Sequence, residues 1–79
     1  MESIHYGNAV ISMMQVYEIR VKEQPNLLFA VRGCICFRMV YEGNELTEWK
    51  IMIPSELEEE LKKYSEITVY GTKTETFSA

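Results

Sequence analysis

Two cysteines separated by one residue, Cys34 and Cys36, are the first feature of this sequence that could do chemistry. Thiolates bind zinc, but a structural zinc site takes four ligands, and His5 is the one histidine that could join them. Neighbours at i and i+2 on a strand are also poorly placed for a disulfide. We therefore interpret the pair as buried or half-buried thiols, with a metal site shared between subunits as the alternative.

Catalytic groups are scarce in the rest of the chain. It contains no aspartate, and its single histidine lies in residues 1–8, which we interpret as a loose N-terminal arm. No Ser-His-Asp or Cys-His arrangement can be assembled from this composition. Four glutamates cluster between Glu56 and Glu60, but lysines four residues later indicate a solvated helix face rather than paired catalytic carboxylates. We predict a protein that is not an enzyme and that uses no cofactor and no metal.

Basic side chains offer a second kind of chemistry, the binding of phosphate. The net charge is −4, and much of the acidity lies between Glu56 and Glu66, so a local basic face remains possible in an acidic chain. Single-strand binding needs cations and exposed aromatic rings. We predict that the contacts to a single strand come from basic residues on the even-numbered rows and from one exposed ring: Arg20, Lys22, Arg32, Arg38, Lys50 and Tyr70. Tyr6 is a second candidate ring, whereas Tyr17, Phe29, Phe37, Tyr41 and Trp49 fall on odd-numbered rows and are expected in the core.

The even-numbered rows also carry more apolar surface than a small monomer usually exposes. Four of these residues are predicted to dock a protein partner: Met14, Val16, Val40 and Met52. A small domain buries a modest share of its surface, so a protein partner or a homo-oligomer is expected.

The elements that must position these residues follow from period-two alternation. It predicts strands over residues 9–22, 27–41 and 46–53, with a turn at Pro25 and a hairpin turn at Gly43 and Asn44. A short helix is predicted at about residues 55–64, where Leu57, Leu61 and Tyr64 form one apolar stripe. A strand over residues 66–71 follows, with a possible last strand over residues 72–77.

This order, β-β-β-α-β(-β), predicts a mainly β (β+α) fold with one helix. It is typical of a small antiparallel barrel of four or five strands, like the oligonucleotide/oligosaccharide-binding (OB) barrel, in which the helix plugs one end. We predict a single OB-like domain over residues 9–79 behind the loose arm of residues 1–8.

Residues 27–77 resemble the bacterial single-stranded DNA-binding protein family. In that family a TEWH-like strand leads into a helix of Leu, Glu and Lys, and a G-x-x-V-x-V-x-G strand follows. The corresponding features here are Thr47-Glu48-Trp49, residues 57–64, and Ile67, Val69 and Gly71. The glycine that precedes the returning strand is Glu66 here, and the family's long hairpin and acidic tail are absent, so the domain is identified as divergent and truncated. OB domains of the tRNA-anticodon and helicase types fit a similar pattern.

The resemblance implies a small non-catalytic OB-fold subunit in nucleic-acid metabolism. It would bind single-stranded DNA weakly to moderately, or dock a replication-type enzyme such as a polymerase, primase or helicase. The alternative is a protein-interaction module that does not bind nucleic acid, such as a phage or mobile-element inhibitor whose acidic helix imitates phosphate charge. The N-terminus shows no signal peptide and no apolar run long enough for a membrane span, so a cytoplasmic protein without membrane contact is expected.

Overall fold

The computed structural model describes residues 2–79 as eight strands and one helix. The elements, in chain order, are β1 (Ser3–Tyr6), β2 (Ala9–Ser12), β3 (Val16–Val21), β4 (Leu27–Arg32), β5 (Ile35–Glu42), β6 (Glu45–Met52), α1 (Pro54–Leu61), β7 (Glu66–Tyr70) and β8 (Thr74–Ser78). The predicted fold class, mainly β with one short helix, is confirmed.

Six of the strands form one antiparallel sheet in the order β6-β5-β4-β3-β7-β8, and β1 and β2 form a separate hairpin. The chain runs as a meander from β3 to β6, crosses through α1 and returns with β7 beside β3. This return places β6 and β8 at opposite edges, so the sheet in the described part of the chain is open rather than a closed barrel. The barrel that the sequence predicts differs from the structure in this respect.

One face of the sheet, the inner face, is covered by α1 and by the β1–β2 hairpin. Its central side chains are fully or almost fully buried: Tyr17, Ile19, Val21, Leu27, Phe29, Val31, Cys36, Met52 and Ile67. From the covering elements, the core takes Ile4, Tyr6, Ile11 and Met13 of the N-terminal segment and Leu57, Leu61 and Tyr64 of the helical segment. Burial of the predicted stripe of Leu57, Leu61 and Tyr64 is therefore confirmed.

The helix begins one residue earlier than its sequence signals predict. Pro54 occupies the first turn, where its missing N–H costs no hydrogen bond, and the Glu56 carboxylate accepts a hydrogen bond from the Ile53 N–H at 3.0 Å. The helix ends at Leu61 rather than near residue 64. Among residues 2–79, no helix is both long enough and apolar enough to cross a membrane.

The N-terminal segment is an ordered part of the core, so the predicted loose arm over residues 1–8 is wrong for its described residues. Ile4 and Tyr6 alternate inward from β1 and are buried. The Tyr6 hydroxyl donates a hydrogen bond of 2.6 Å to the Tyr64 carbonyl, and the His5 backbone N–H donates one of 2.6 Å to Glu58. Tyr6 is therefore a buried core residue and not an exposed ring on which a base could stack.

The long predicted strand over residues 27–41 is two strands, β4 and β5, joined by a two-residue loop at Gly33 and Cys34. Gly33 has a φ of 70°, which the first central residue of a type II′ hairpin turn requires. Arg32 and Ile35 pair directly across this loop, so an even-numbered residue of β4 and an odd-numbered residue of β5 share one face. In β5, the odd-numbered side chains from Ile35 onward therefore lie on the face opposite to the core.

Two carboxylates, the exposed Glu23 and the half-buried Glu58, accept hydrogen bonds from segments that pack against the sheet, and they should make the stability depend on pH. Hydrogen bonds from Ser65 lower the pKa of Glu23, and the hydrogen bond from the His5 backbone N–H lowers the pKa of Glu58, both from an ordinary value of 4.5. A lowered pKa in the folded state stabilises the fold above pH 4.5, and this contribution disappears as the pH falls through the folded-state pKa values.

We therefore expect the urea midpoint to be flat above pH 5 and to fall below about pH 4.5. The Glu23→Gln/Glu58→Gln variant should show a shallower fall, and Glu45→Gln, at the exposed start of β6, is the matched control. An equal acid dependence in all three proteins would contradict this role for the two carboxylates.

Candidate protein-docking face

The outer face of the sheet, opposite the core, carries two rows of side chains that the strand register defines. One row runs through Ile51, Phe37, Ala30, Glu18, Tyr70 and Thr74. The next runs through Trp49, Met39, Leu28, Arg20, Thr68 and Thr76. Each row is apolar on β6, β5 and β4 and becomes polar or charged from β3 to β8, apart from Tyr70.

We call the β4–β6 part of this surface the apolar half; it comprises Leu28, Ala30, Ile35, Phe37, Met39, Trp49 and Ile51. Trp49 is 63% exposed, Ile51 59% and Ile35 52%. Phe37 and Met39 are half-buried, and Leu28 and Ala30 are buried without belonging to the core cluster. A contiguous apolar surface of this kind marks a binding site more often than an ordinary solvated face.

The position of Trp49 and Phe37 on the outer face, where Trp49 is exposed and Phe37 half-buried, overturns their predicted place in the core. The hairpin loop at Gly33 moves the odd-numbered residues of β5 to the outer face, and β6 follows because Trp49 pairs with Met39 and Ile51 with Phe37. Tyr41 is likewise half-buried rather than a core residue. Tyr17 and Phe29 precede the loop and are buried as predicted.

The residues predicted to contact a single strand divide between the two faces of the sheet. Arg20, Arg32 and Tyr70 lie on the outer face and are exposed. Both arginines also make internal contacts: Arg20 donates to the Pro25 carbonyl at 3.0 Å, and Arg32 donates to the carbonyls of Tyr17 and Val31 at 3.2 and 2.9 Å. The Arg32 guanidinium additionally lies 3.8 Å from the Glu18 carboxylate.

Arg38 and Lys50 lie on the inner face, away from Arg20 and Arg32. They are cross-strand partners, and Arg38 forms an ion pair of 3.0 Å with Glu60 of α1. Burial acts to lower the pKa of Arg38, but the hydrogen bond and the charge of Glu60 outweigh it and raise that pKa. Lys50 is exposed, and Lys22 follows the end of β3, where it is also exposed. The structure therefore does not bring the six predicted residues into one site.

Of the four residues predicted to dock a protein partner, two are exposed and two lie against or within the core. Met14 and Val16 are exposed at and just before the start of β3. Val40 is half-buried and packs against the core, and Met52 is only 4% exposed within the core. The prediction for Met52 is wrong because the even-numbered residues of β5 and β6 face inward after the loop at Gly33.

The cysteines give no metal site in the described part of the chain. Cys36 is buried on the inner face, and burial, together with the neighbouring Cys34, raises the pKa of the Cys36 thiol to about 11. Cys36 is therefore a neutral thiol at neutral pH, which is a poor metal ligand. Cys34 is exposed in the turn, and residues 2–79 contain no group of three or more His, Cys, Asp or Glu side chains placed to hold a metal ion.

The glutamates of the helix make specific internal contacts instead of forming a uniform solvated face. Glu56 binds the first turn through Ile53, Glu58 binds His5, and Glu60 binds Arg38. Glu59 pairs with Lys62 at 2.9 Å in an i,i+3 arrangement, and not with the lysine four residues later in the sequence, Lys63. These contacts give three of the four carboxylates a role in attaching or capping the helix.

Sequence alternation does not reveal the apolar half, because its β5 and β6 residues continue the odd-numbered phase of the core residues of β4. A signal for it is present in the sequence. Gly33-Cys34 separates two alternating apolar runs by two residues, and a glycine in the first position of such a spacer is typical of a hairpin.

Comparison of the chain with protein-family models, with curated proteins and with solved structures found no match.

Proposed function

We propose that this protein is a small non-catalytic binding module that docks a protein partner on the apolar half of its outer face. The observation that carries the proposal is the exposure of Trp49 and Ile51 beside Phe37 and Met39 on one continuous surface. A few residues near the centre of a protein interface supply most of its binding energy, and Trp is among the residue types enriched there. The charged residues Glu18, Arg20 and Arg32 border this surface on β3 and β4, as the polar rim of an interface does.

A non-catalytic role is supported by the contacts of the reactive side chains. His5 lies 3.4 Å from Glu58, Arg38 pairs with Glu60, and the Cys36 thiol is buried and protonated. His5 and Arg38 thus each contact a carboxylate of α1, and Cys36 is part of the buried core. None of them lies on the apolar half.

Single-stranded nucleic acid is the second candidate partner, because Trp49 and Tyr70 are exposed on the same face as Arg20 and Arg32. Bases stack on exposed aromatic rings, and arginines bind phosphate. The outer face has two arginines, both with internal hydrogen bonds, and the strand register places Glu18 between them, with its carboxylate 3.8 Å from the Arg32 guanidinium. This charge balance favours a protein partner over a polyanion.

The docking surface is tested by a matched pair of variants on one row of the outer face. Phe37→Glu places a charge within the apolar half, and Thr74→Glu places the same charge at the far end of that row. The partner would be captured from the cells that naturally produce the chain, identified by mass spectrometry and purified. We expect Phe37→Glu to weaken its binding at least about thirtyfold, and Thr74→Glu to leave binding unchanged within about twofold.

Two results would reject the docking surface: equal binding of both variants by the purified partner, or no partner whose binding can be reconstituted. Circular dichroism of Phe37→Glu controls for loss of the fold.

The choice between the two candidates is made with a labelled oligo-dT and the intrinsic fluorescence of Trp49, the single tryptophan of the chain. At low salt and about 50 µM protein, we expect no change in anisotropy and no quenching of Trp49. Binding that quenches Trp49 and weakens steeply with added salt would instead support the single-strand candidate.

A further inference from the structure

The two edges of the sheet differ in how much pairing surface they offer. At one edge, β8 is a five-residue strand of mostly polar residues, and the β1–β2 turn at Gly7 packs against the backbone of Ser78 near its end. At the other edge, β6 has eight residues, seven of which are exposed, and it carries Trp49 and Ile51. A long, exposed and apolar edge strand is a ready template for pairing with another strand.

We propose that β6 pairs with β6 of a second copy of this chain, antiparallel, about a two-fold axis that passes through Trp49. The inference rests on the edge strand and its charges, not on the docking of a partner to the outer face. Both sheets would join into one continuous antiparallel sheet, and the two apolar halves would meet at the axis.

Two-fold symmetry and the charges of β6 together favour one register between the two β6 strands. Because residues that pair across antiparallel strands share a face, a two-fold pairing of identical strands places one residue opposite itself. If that residue were Glu48 or Lys50, two like charges would lie directly opposite each other, which is destabilising. With Trp49 on the axis, Glu48 of each copy lies opposite Lys50 of the other, so two ion pairs form by symmetry.

The side chains that would meet in this register are exposed on both faces of β6. Glu48 and Lys50 are exposed on the inner face, since their partners in β5 are Val40 and Arg38, and Trp49 is exposed on the outer face. The two Trp49 side chains would then be direct cross-strand neighbours, and aromatic pairs of this kind stabilise sheets. The β-bulge at Thr47, opposite Val40 and Tyr41, marks the end of the new ladder at about residues 47–51.

A ladder this short buries a small interface, so we expect a dimer with a dissociation constant in the range of about 1–100 µM. Sedimentation equilibrium between about 1 and 500 µM protein should show a monomer–dimer transition. Trp49 emission should shift to the blue over the same range, because Trp49 loses contact with water. A chain that remains monomeric throughout this range overturns the proposal.

Charge reversal then tests the register without altering the outer face. Glu48→Lys and Lys50→Glu should each raise the dissociation constant at least about tenfold, because each converts two ion pairs into two like-charge contacts. The double variant Glu48→Lys/Lys50→Glu should restore self-association. An equimolar mixture of the two single variants should form a heterodimer with restored affinity.

A double variant as weak as the single ones would reject the Trp49 register. Thermal unfolding of each variant under dilute conditions reports any effect on the monomer itself. Neither Glu48 nor Lys50 lies on the apolar half, so a loss of dimer with unchanged partner binding separates this proposal from the proposed function.

Cysteine cross-linking provides a second measurement of the same register, in a Cys34→Ser background. The Cα atoms of directly paired residues lie about 4.5–5.5 Å apart, which is within the range of a disulfide. Trp49→Cys should therefore form a covalent dimer on oxidation. Lys50→Cys should cross-link poorly, because its counterpart lies diagonally, about 7–8 Å away. The reverse order of cross-linking would refute a two-fold axis at Trp49.

Discussion

Replacing Tyr6 with alanine should lower the free energy of unfolding by about 3–5 kcal/mol, as for other large aromatic residues removed from a core. Tyr6 is 2% exposed, and its hydroxyl donates to the Tyr64 carbonyl, so the substitution leaves both a cavity and a carbonyl without its donor. A domain of this length has a total stability of about 4–12 kcal/mol, so the substitution should remove a large share of it.

The matched control is Val10→Ala in the same hairpin, where the side chain is 64% exposed and the change should stay within about 0.5 kcal/mol. Tyr6→Phe keeps the ring and should cost an intermediate amount, about 1–3 kcal/mol. Urea unfolding followed by far-ultraviolet circular dichroism gives all three values. Similar stabilities for Tyr6→Ala and Val10→Ala would show that the N-terminal segment is the loose arm that the sequence predicts.

Truncating Leu57 to alanine should lower the free energy of unfolding by about 2–5 kcal/mol. Leu57 is fully buried between α1 and the core, and its helix packs on β1 as well as on the sheet. Alanine is the best helix former, so the loss reports the contact between helix and core rather than helix propensity. Glu59→Ala, on the exposed side of the same helix, should change stability by less than about 0.5 kcal/mol.

Circular dichroism is the suitable probe here too, because Trp49 is exposed in the folded chain and its fluorescence reports unfolding poorly. If Leu57→Ala and Glu59→Ala had equal stabilities, α1 would not be part of the core.

The proposed docking face and the proposed dimer share Trp49 but depend on opposite faces of β6 for their specificity. Trp49 and Ile51 face outward with the apolar half, whereas Glu48 and Lys50 face the side of the helix. A dimer paired through β6 would present two docking surfaces side by side. Two linked surfaces would increase the avidity for a partner that is itself repeated or dimeric.

The sequence predicted the local elements well where one face of a strand is buried and the other is solvated. The odd-numbered residues of β3, Tyr17, Ile19 and Val21, are buried as their alternation predicts. The helix stripe of Leu57, Leu61 and Tyr64 was predicted for the same reason, and so was the turn at Gly43. In each case a local signal, either the spacing of apolar residues or a turn-forming residue, is enough to predict the element.

The sequence could not predict which side chains of β5 and β6 would point into the core and which would lie on the outer face. Alternation repeats every two residues, and a two-residue hairpin loop preserves that pattern in the sequence while it exchanges the faces in space. When the outer face is also apolar, as with Phe37 and Met39, no polar row remains to reveal the exchange. The predictions for Trp49, Arg38, Lys50 and Met52 all failed through this one ambiguity at Gly33.

By itself, the sequence determined the fold class, the single short helix, the inward stripe of that helix and most of the β3 core, because these depend on local periodicity. Only the tertiary structure decided that the N-terminal segment joins the core, that the sheet stays open with β6 at its edge, and that Trp49 faces water. Those features depend on which strands become neighbours, and strand pairing is a long-range choice that no local hydrophobic pattern encodes.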